Sequence, residues 1–383
     1  MVSSIFIQFL NGLASASTLF LVAAGLSLIF GVTRIVNFAH GSLYMLGIYI
    51  AYSAIGWAGA DGALAPAAFW GGIVLAAIAV GVIGLLIEML LLRRIYHVPE
   101  MFQLLATFGV VLVIKDAVLW AWGAEDLLGP RAPGLRGSVD ILGKAFPEYD
   151  MALIAIGPLV LGLLWLLLNR TRWGTLVRAA TQDREMVAAL GVDQRWLFSG
   201  VFALGSALAG LGGALQIPRE PAQLFLDLTT IADAFVVVVV GGMGSIPGAA
   251  LAAFIIGEIK AFCVGIGQVE AFGLSVSLSK LTLVAEFIVM ALVLVLRPWG
   301  LLGRPQGAQR ALARQQEPPL QPAARSRQIT VLGVVAVLAI VPLLFAMPYQ
   351  MLMPVFARDV LEAGPEGLGW LLGAVGLGSV LGS

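Results

Sequence analysis

Thiols and imidazoles are scarce in this sequence, and so are charges. Cys263 is the one cysteine and there are two histidines in 383 residues. That excludes an internal disulfide and leaves no His/Cys spacing suited to a metal. Charged residues make up 11% of the chain and cancel to a formal net charge of zero, so nucleic acid is not an expected partner. No Walker A motif and no nucleophile–base set stands out, so neither a catalytic nor a metal site is expected. Lysine and arginine are missing before Arg34. The N-terminus therefore lacks the positive region of a signal peptide and reads as a retained first span. What is present is apolar: 60% of the residues, against roughly 45–50% in soluble domains, with a mean hydropathy of +0.98.

Apolar runs recur at a length that crosses the roughly 30 Å hydrocarbon layer as a helix. Lipid offers no partners for backbone N–H and C=O groups, so these runs must be helices, and nothing alternates as a barrel strand would. The expected fold class is all-α, a polytopic transmembrane helix bundle. Spans are expected at about 5–31, 35–56, 67–92, 101–122, 151–168, 196–217, 229–242, 246–267 and 276–297. The seventh is short and runs VVVVV into GGMGSIPG, so it and the eighth read as one interrupted unit, and the count is eight or nine.

Basic residues set the orientation. Arg34, Arg93, Arg94, Arg170, Arg172, Arg178, Arg184 and Arg195 fall on one side if the spans alternate, and nine crossings return Arg297 and Arg304 to it. That side is expected to be cytoplasmic and the N-terminus periplasmic. After residue 303 the composition changes. Residues 304–328, rich in Arg, Gln, Ala and Pro, read as a disordered cytoplasmic linker, and 329–383 as a hydrophobic tail holding one or two further spans.

One polar stretch interrupts the apolar chain: TLVRAATQDREMVAALGVD, Thr175 to Asp193. At about 100° per residue, Leu176, Ala179, Ala180, Met186, Val187 and Leu190 share one helical face, and Arg178, Thr181, Gln182 and Glu185 the other. Thr175 is expected to cap this helix and Gly191 to stop it. Its charges forbid a crossing. It either lies on the bilayer surface or docks on a soluble partner. Asp183 falls within the apolar face, where lipid would penalise it, and that face is mostly small, which suits a groove. On the residues alone the two readings stand level.

Asn37 and His40 open the second span in NFAHG. An intramembrane histidine is a functional candidate by default; the plainer reading is a histidine near the cytoplasmic surface, hydrogen-bonded to backbone at a helix break. GGMGSIPG, from Gly241 to Gly248, breaks a helix in lipid, which is tolerated only against protein or water. Freed N–H groups of the following helix could meet a carboxylate, or the glycines could simply let backbones approach. The two Gly-interrupted segments, one in each half, point to a central site. Lys115 and Asp116 are adjacent and cannot pair simply on a helix. Glu88, Asp233, Glu258, Lys260 and Glu286 are further charges in or near spans.

Three blocks carry a resemblance. RWGTLVRAATQDREMVAALGVD is similar to the cytoplasmic coupling loop of ABC importer permeases, where a short helix ending in Gly sits in a cleft of the ATPase subunit. RIVNFAHGSLYMLGIYIAY (Arg34–Tyr52) and ADAFVVVVVGGMGSIPGAALAAFIIG (Ala232–Gly257) resemble branched-chain amino acid permeases of the LivH type. The blocks occur in family order, and the resemblance covers residues 1–303. It implies an importer permease of the bacterial inner membrane, paired with a sister LivM-type permease, two ABC ATPase subunits and a periplasmic amino-acid-binding protein. ATP and Mg then belong to the partner subunits, with no cofactor in this chain. It implies that Arg178, Asp183, Glu185, Ala188 and Gly191 form the ATPase-coupling helix. It places Asn37, His40, Asp233, Gly241, Gly242 and Gly244 beside the translocation pathway.

The rival classes are an ion-driven secondary transporter, which would need no docking helix and would show a paired intramembrane acid and base, and a non-transporting fusion remnant. The second follows from the tail. Residues 347–383 resemble a fragment of a major facilitator superfamily exporter, and 329–347 the start of a LivM-type permease.

Overall fold

The computed structural model describes residues 2–58, 65–96, 98–182, 184–271 and 274–303. The linker expected over 304–328, the tail over 329–383 and Asp183 lie outside them. In chain order the helices are α1 (Val2–Thr33), α2 (Ala39–Ala58), α3 (Ala65–Ile87), a π turn at Glu88–Leu92, α4 (Arg93–Ile95), α5 (Glu100–Trp122), α6 (Glu148–Arg170), α7 (Arg172–Gln182), α8 (Arg184–Ala189), α9 (Gln194–Ala214), α10 (Leu226–Gly241), α11 (Ile246–Ile266) and, after a 3-10 turn at Leu278–Leu281, α12 (Thr282–Leu296). Strands among the described residues form two antiparallel hairpins, β1 (Ser138–Ile141) with β2 (Lys144–Pro147) and β3 (Gln268–Ala271) with β4 (Leu274–Ser277).

The nine expected spans are all helices. Six stretches among the described residues, beginning at Ser3, Ala65, Met101, Glu148, Gln194 and Ile246, are long and apolar enough to cross a membrane by length and composition. α1 packs against α6, α9, α10 and α11, and α9 against α1, α2 and α3. Small residues make these approaches possible. A Cβ at Gly25 would run into the Gly205 carbonyl, and one at Gly47 into the Gly210 backbone. Lipid supplies no hydrophobic drive between helices, so close backbone packing of this kind holds them together.

Contacts sort the helix ends onto two faces. At one, Gly31 of α1 meets Gly244 in the α10–α11 turn, Ser199 of α9 meets Arg93, and Leu301 N–H donates to the Val240 carbonyl at 2.8 Å. At the other, Lys144 of β2 donates to Ser4 Oγ at 2.8 Å, and Leu127 pairs with Ala222. Arg34, Arg93, Arg170, Arg178, Arg195 and Arg297 all belong to the first face, as the basic residues predict.

Two boundaries differ from expectation. α2 starts at Ala39, not near residue 35: Arg34 takes a left-handed backbone, φ 59°, and the chain runs non-helically to Phe38. The seventh and eighth spans are not one interrupted unit. α10 and α11 are two helices packed as a hairpin, and GGMGSIPG is the turn between them.

Candidate functional site

The polar stretch is helical on both sides of Asp183, with α7 over Arg172–Gln182 and α8 over Arg184–Ala189. Thr171, not Thr175, starts the first: its hydroxyl accepts from Gly174 N–H at 3.0 Å, while the Thr175 hydroxyl donates to the Thr171 carbonyl. The reason is that the chain leaves α6 at Thr171 and turns at once, so the break in helical dihedrals comes four residues earlier. α8 ends as the sequence expects. Gly191 has φ 80°, its N–H donates to the Ala188 carbonyl at 2.9 Å, and Val192 N–H donates to the Val187 carbonyl at 3.4 Å. These are the paired bonds of a Schellman stop, which needs a residue without a Cβ penalty at this φ.

Burial divides the expected apolar face. Val177, Ala180 and Val187 are buried against the bundle. Met186 is 58% exposed and Leu190 76% exposed, and Ala188 is exposed beside them. The tip of α8 therefore presents apolar side chains outward, flanked by the basic residues of this face. Arg178 is exposed on α7 and donates to Asn169 Oδ1 at 2.8 Å. Glu185 lies in α8. On its inner side the stretch touches the α1–α11 junction: Thr181 Cγ2 is 3.6 Å from where a Cβ on Gly31 would sit, and Gly244 Cα is 3.1 Å from the same point. Polar helix, first span and GGMG turn thus meet at one place.

Gly241, Gly242 and Gly244 are packing positions. A Cβ on Gly241 would strike the Gly248 backbone, and one on Gly242 would strike Gly303. Gly242 has φ 102° and Gly244 φ 84°. The expectation that this break lies within the layer is corrected, and fewer of the next helix's N–H groups are free than it supposes. The turn sits at the Arg34 face. Ser245 caps α11 by accepting from Gly248 N–H at 3.1 Å, and Pro247 has no N–H.

The irregular backbone at depth is NFAHG instead. His40 Nε2 lies 2.9 Å from the Val22 carbonyl, and the roughly three turns of α1 between Val22 and Thr33 span about 16 Å. α2 therefore begins well inside the layer, and His40 is backbone-bonded as the plainer reading has it, but deep rather than near the surface. Asn37 caps the helix, its Oδ1 accepting from Ala39 N–H at 3.2 Å. Along Arg34–Phe38 the side chains alternate: Ile35 and Asn37 are buried, Arg34 and Phe38 exposed. The outer edge borders a depression lined by Leu26, Phe30, Val36, Phe235, Val238 and Met243. Non-helical backbone at membrane depth is tolerated only against protein or water, so this strip is not a lipid-facing surface.

Asp233 faces the α11 side of its helix. Lys260 Nζ lies 2.5 Å from Asp233 Oδ2 and 2.9 Å from Glu286 Oε2, with Glu286 fully buried. α10, α11 and α12 are thereby tied by two carboxylates and one ammonium. A second pair was not foreseen: Lys115 of α5 reaches Asp227 of α10 at 4.0 Å and sits 4.7 Å from the centre of the Phe225 ring. In sequence Lys115 stands beside Asp116, with which it cannot pair simply on a helix; tertiary packing brings Asp227 close instead.

A family model described as "Branched-chain amino acid transport system / permease component" matches residues 8–297. The chain belongs to that family. It is 29% identical over 307 residues to the high-affinity branched-chain amino acid transport system permease protein BraD of Pseudomonas aeruginosa, covering 78% of this chain and 96% of that protein. It is 26% identical over 313 residues to LivH of Escherichia coli K12, with the same coverage. It is 29% identical over 294 residues to a probable LivH permease of Methanocaldococcus jannaschii, covering 75% and 89%. No solved structure gives a significant match. The family member is thus a multi-pass membrane permease component of a transport system, as the three sequence blocks implied.

Proposed function

We propose that residues 1–303 are the transmembrane permease subunit of an ABC importer for branched-chain amino acids or related amino acids and amides, in the bacterial inner membrane with the N-terminus periplasmic. The relatives' names support the substrate class. The sister LivM-type permease, two ATPase subunits and a periplasmic amino-acid-binding protein complete the assembly. ATP and Mg are held by the ATPase subunits, and no cofactor or catalytic group is needed here. The exposed apolar tip of α8, on the face rich in arginine, is the observation that carries the coupling role. A surface helix at rest on lipid would turn Met186, Ala188 and Leu190 toward the bilayer with no need to contact the α1–α11 junction. Arg178, Asp183, Glu185, Ala188 and Gly191 form the docking element. Asn37 and His40 hold the broken start of α2 beside the translocation pathway, Asp233 anchors α10 to its neighbours there, and Gly241, Gly242 and Gly244 form the turn that fixes α10 in place.

The test is co-purification with the ATPase subunits. Leu190→Asp should lower their recovery at least tenfold, about the cost of leaving one anchor's apolar area unburied and a charge in the groove, with membrane insertion unchanged. Recovery equal to the native chain in both Leu190→Asp and Ala188→Trp would remove the docking role.

A further inference from the structure

At the arginine-rich face, Glu88 is completely buried and yet five residues before its partner Arg93. In an α-helix residues five apart point about 140° away from each other. The π turn at Glu88–Leu92 removes that obstacle. Its wider winding gives i to i+5 bonding, and Arg93 N–H donates to the Glu88 carbonyl, so the two side chains stack. Arg93 Nη2 then lies 3.0 Å from Glu88 Oε2 and Nε 3.4 Å from Oε1. Tyr96 O–H donates to Oε1 at 3.1 Å. The fourth member comes from another helix. Ser199 Oγ of α9 accepts from Arg93 Nη2 at 2.5 Å and donates to Glu88 Oε2 at 2.6 Å.

Position gives this cluster its meaning. Ser199 lies in the second turn of α9, whose start is capped by Asp193 directly after the Gly191 stop of α8. Little more than one turn of helix separates the docking element from the hydroxyl. Above the cluster α3 and α9 pack through small residues: a Cβ on Gly84 would strike Ser206, and one on Gly210 would strike Val80. On its other side α3 carries exposed Val74, Ile78, Val82 and Leu86. α3 thus packs on α9 and α2, and the cluster is its polar tie to α9 at the end nearest the docking element.

We infer that Glu88, Arg93 and Ser199 are positioning residues that make the arginine-rich end of α3 move as one body with α9 when the docking element is displaced. This rests on the coupling reading above and names the joint through which it reaches a third span. A site that served only to neutralise a buried carboxylate would be met by Arg93 and Tyr96 from the same segment; the hydroxyl from α9 is what makes it a connection. A variant that keeps the ion pair but loses the tie isolates this role.

The experiment uses the complete transporter with its ATPase subunits, in lipid nanodiscs, with Cys263→Ala removing the native thiol. Spin labels at Leu86→Cys on α3 and Trp196→Cys on α9, both exposed in the native chain, report the separation of the two helix ends before and after ATP with vanadate. The native joint should hold one narrow distance in both states. Ser199→Ala should broaden or shift it on nucleotide binding and lower substrate uptake per ATP hydrolysed about tenfold, the worth of one charge-assisted hydrogen bond. Ser199→Thr, which keeps the hydroxyl, should restore both. Unchanged distances in Ser199→Ala overturn the joint whatever the transported substrate. Unchanged distances in the native complex with no ATP-linked uptake overturn the functional reading instead.

Discussion

At the scale of single residues, charge is the scarce and informative quantity. An ionised side chain at the centre of a bilayer costs about 2.5–3.5 kcal/mol on insertion scales, so each one kept there must be compensated. Lys260 is compensated twice, by Asp233 and by Glu286. Replacing it by Met leaves two carboxylates facing each other across three helices. Lys260→Met should lose about 3–5 kcal/mol, the usual cost of breaking a buried pair from one side. Lys260→Met with Asp233→Asn and Glu286→Gln should regain most of it. Thermal unfolding in detergent, followed by size-exclusion recovery, reads both. A single variant as stable as the native chain would mean that the three groups are not a charge cluster. These residues were visible in the sequence as charges in spans, but their partners were not. Lys260, Asp233 and Glu286 lie on three helices, and nothing in a linear pattern says which helix faces which. For the same reason Lys115 could not be assigned to Asp227.

At the scale of elements, helices were legible and their breaks were less so. Long apolar runs fixed the spans because lipid leaves the backbone one solution. The stop at Gly191 was legible because it depends on a local dihedral that favours glycine. The start of α2 was not: Arg34, an L-residue, takes a left-handed backbone at a cost of roughly 1–2 kcal/mol, and only the packing of Ile35 and Asn37 against the bundle makes that worthwhile. GGMGSIPG looks in sequence like a break within the layer, because glycines in an apolar run look alike whether they line a pathway or turn a hairpin. The contact of Gly244 with Gly31 and Thr181 suggests a sharp test. Gly244→Val meets both an unfavourable φ and the Gly31 backbone. It should insert normally yet reduce ATP-linked uptake to a few per cent or less, consistent with roughly 2 kcal/mol or more of strain at the junction. Gly31→Ala should have a milder effect, since its neighbours at 3.1 Å and 3.6 Å can shift slightly. Uptake by Gly244→Val at the native rate would show that the junction carries no motion.

At the scale of the whole molecule, the faces defined by contact and the faces defined by arginine agree. The domain division has a test of its own. The family match ends at residue 297, and alignments that use 78% of this chain already cover 96% of its relatives BraD and LivH. A chain ended after Arg304 should therefore insert, bind its ATPase subunits and support uptake near the native level. In the Cys263→Ala background, a thiol-reactive label applied from the periplasm should modify Ser3→Cys and leave Gln315→Cys untouched. Modification of Gln315→Cys from outside would require an even number of crossings.

The rival account, a self-sufficient ion-driven transporter, was to be recognised by a paired intramembrane acid and base. Such pairs are present, at Lys115–Asp227 and at Lys260, so that criterion does not separate the classes. Family membership and the exposed tip of α8 favour the importer, and energy supply separates the two directly. The deciding measurement is uptake of radiolabelled leucine into proteoliposomes holding this chain with its sister permease, both ATPase subunits and the binding protein. The importer account predicts uptake that requires enclosed ATP, persists when ion gradients are collapsed, and falls at least tenfold with Leu190→Asp. Uptake by this chain alone, without ATPase subunits and driven by an imposed ion gradient, would contradict it.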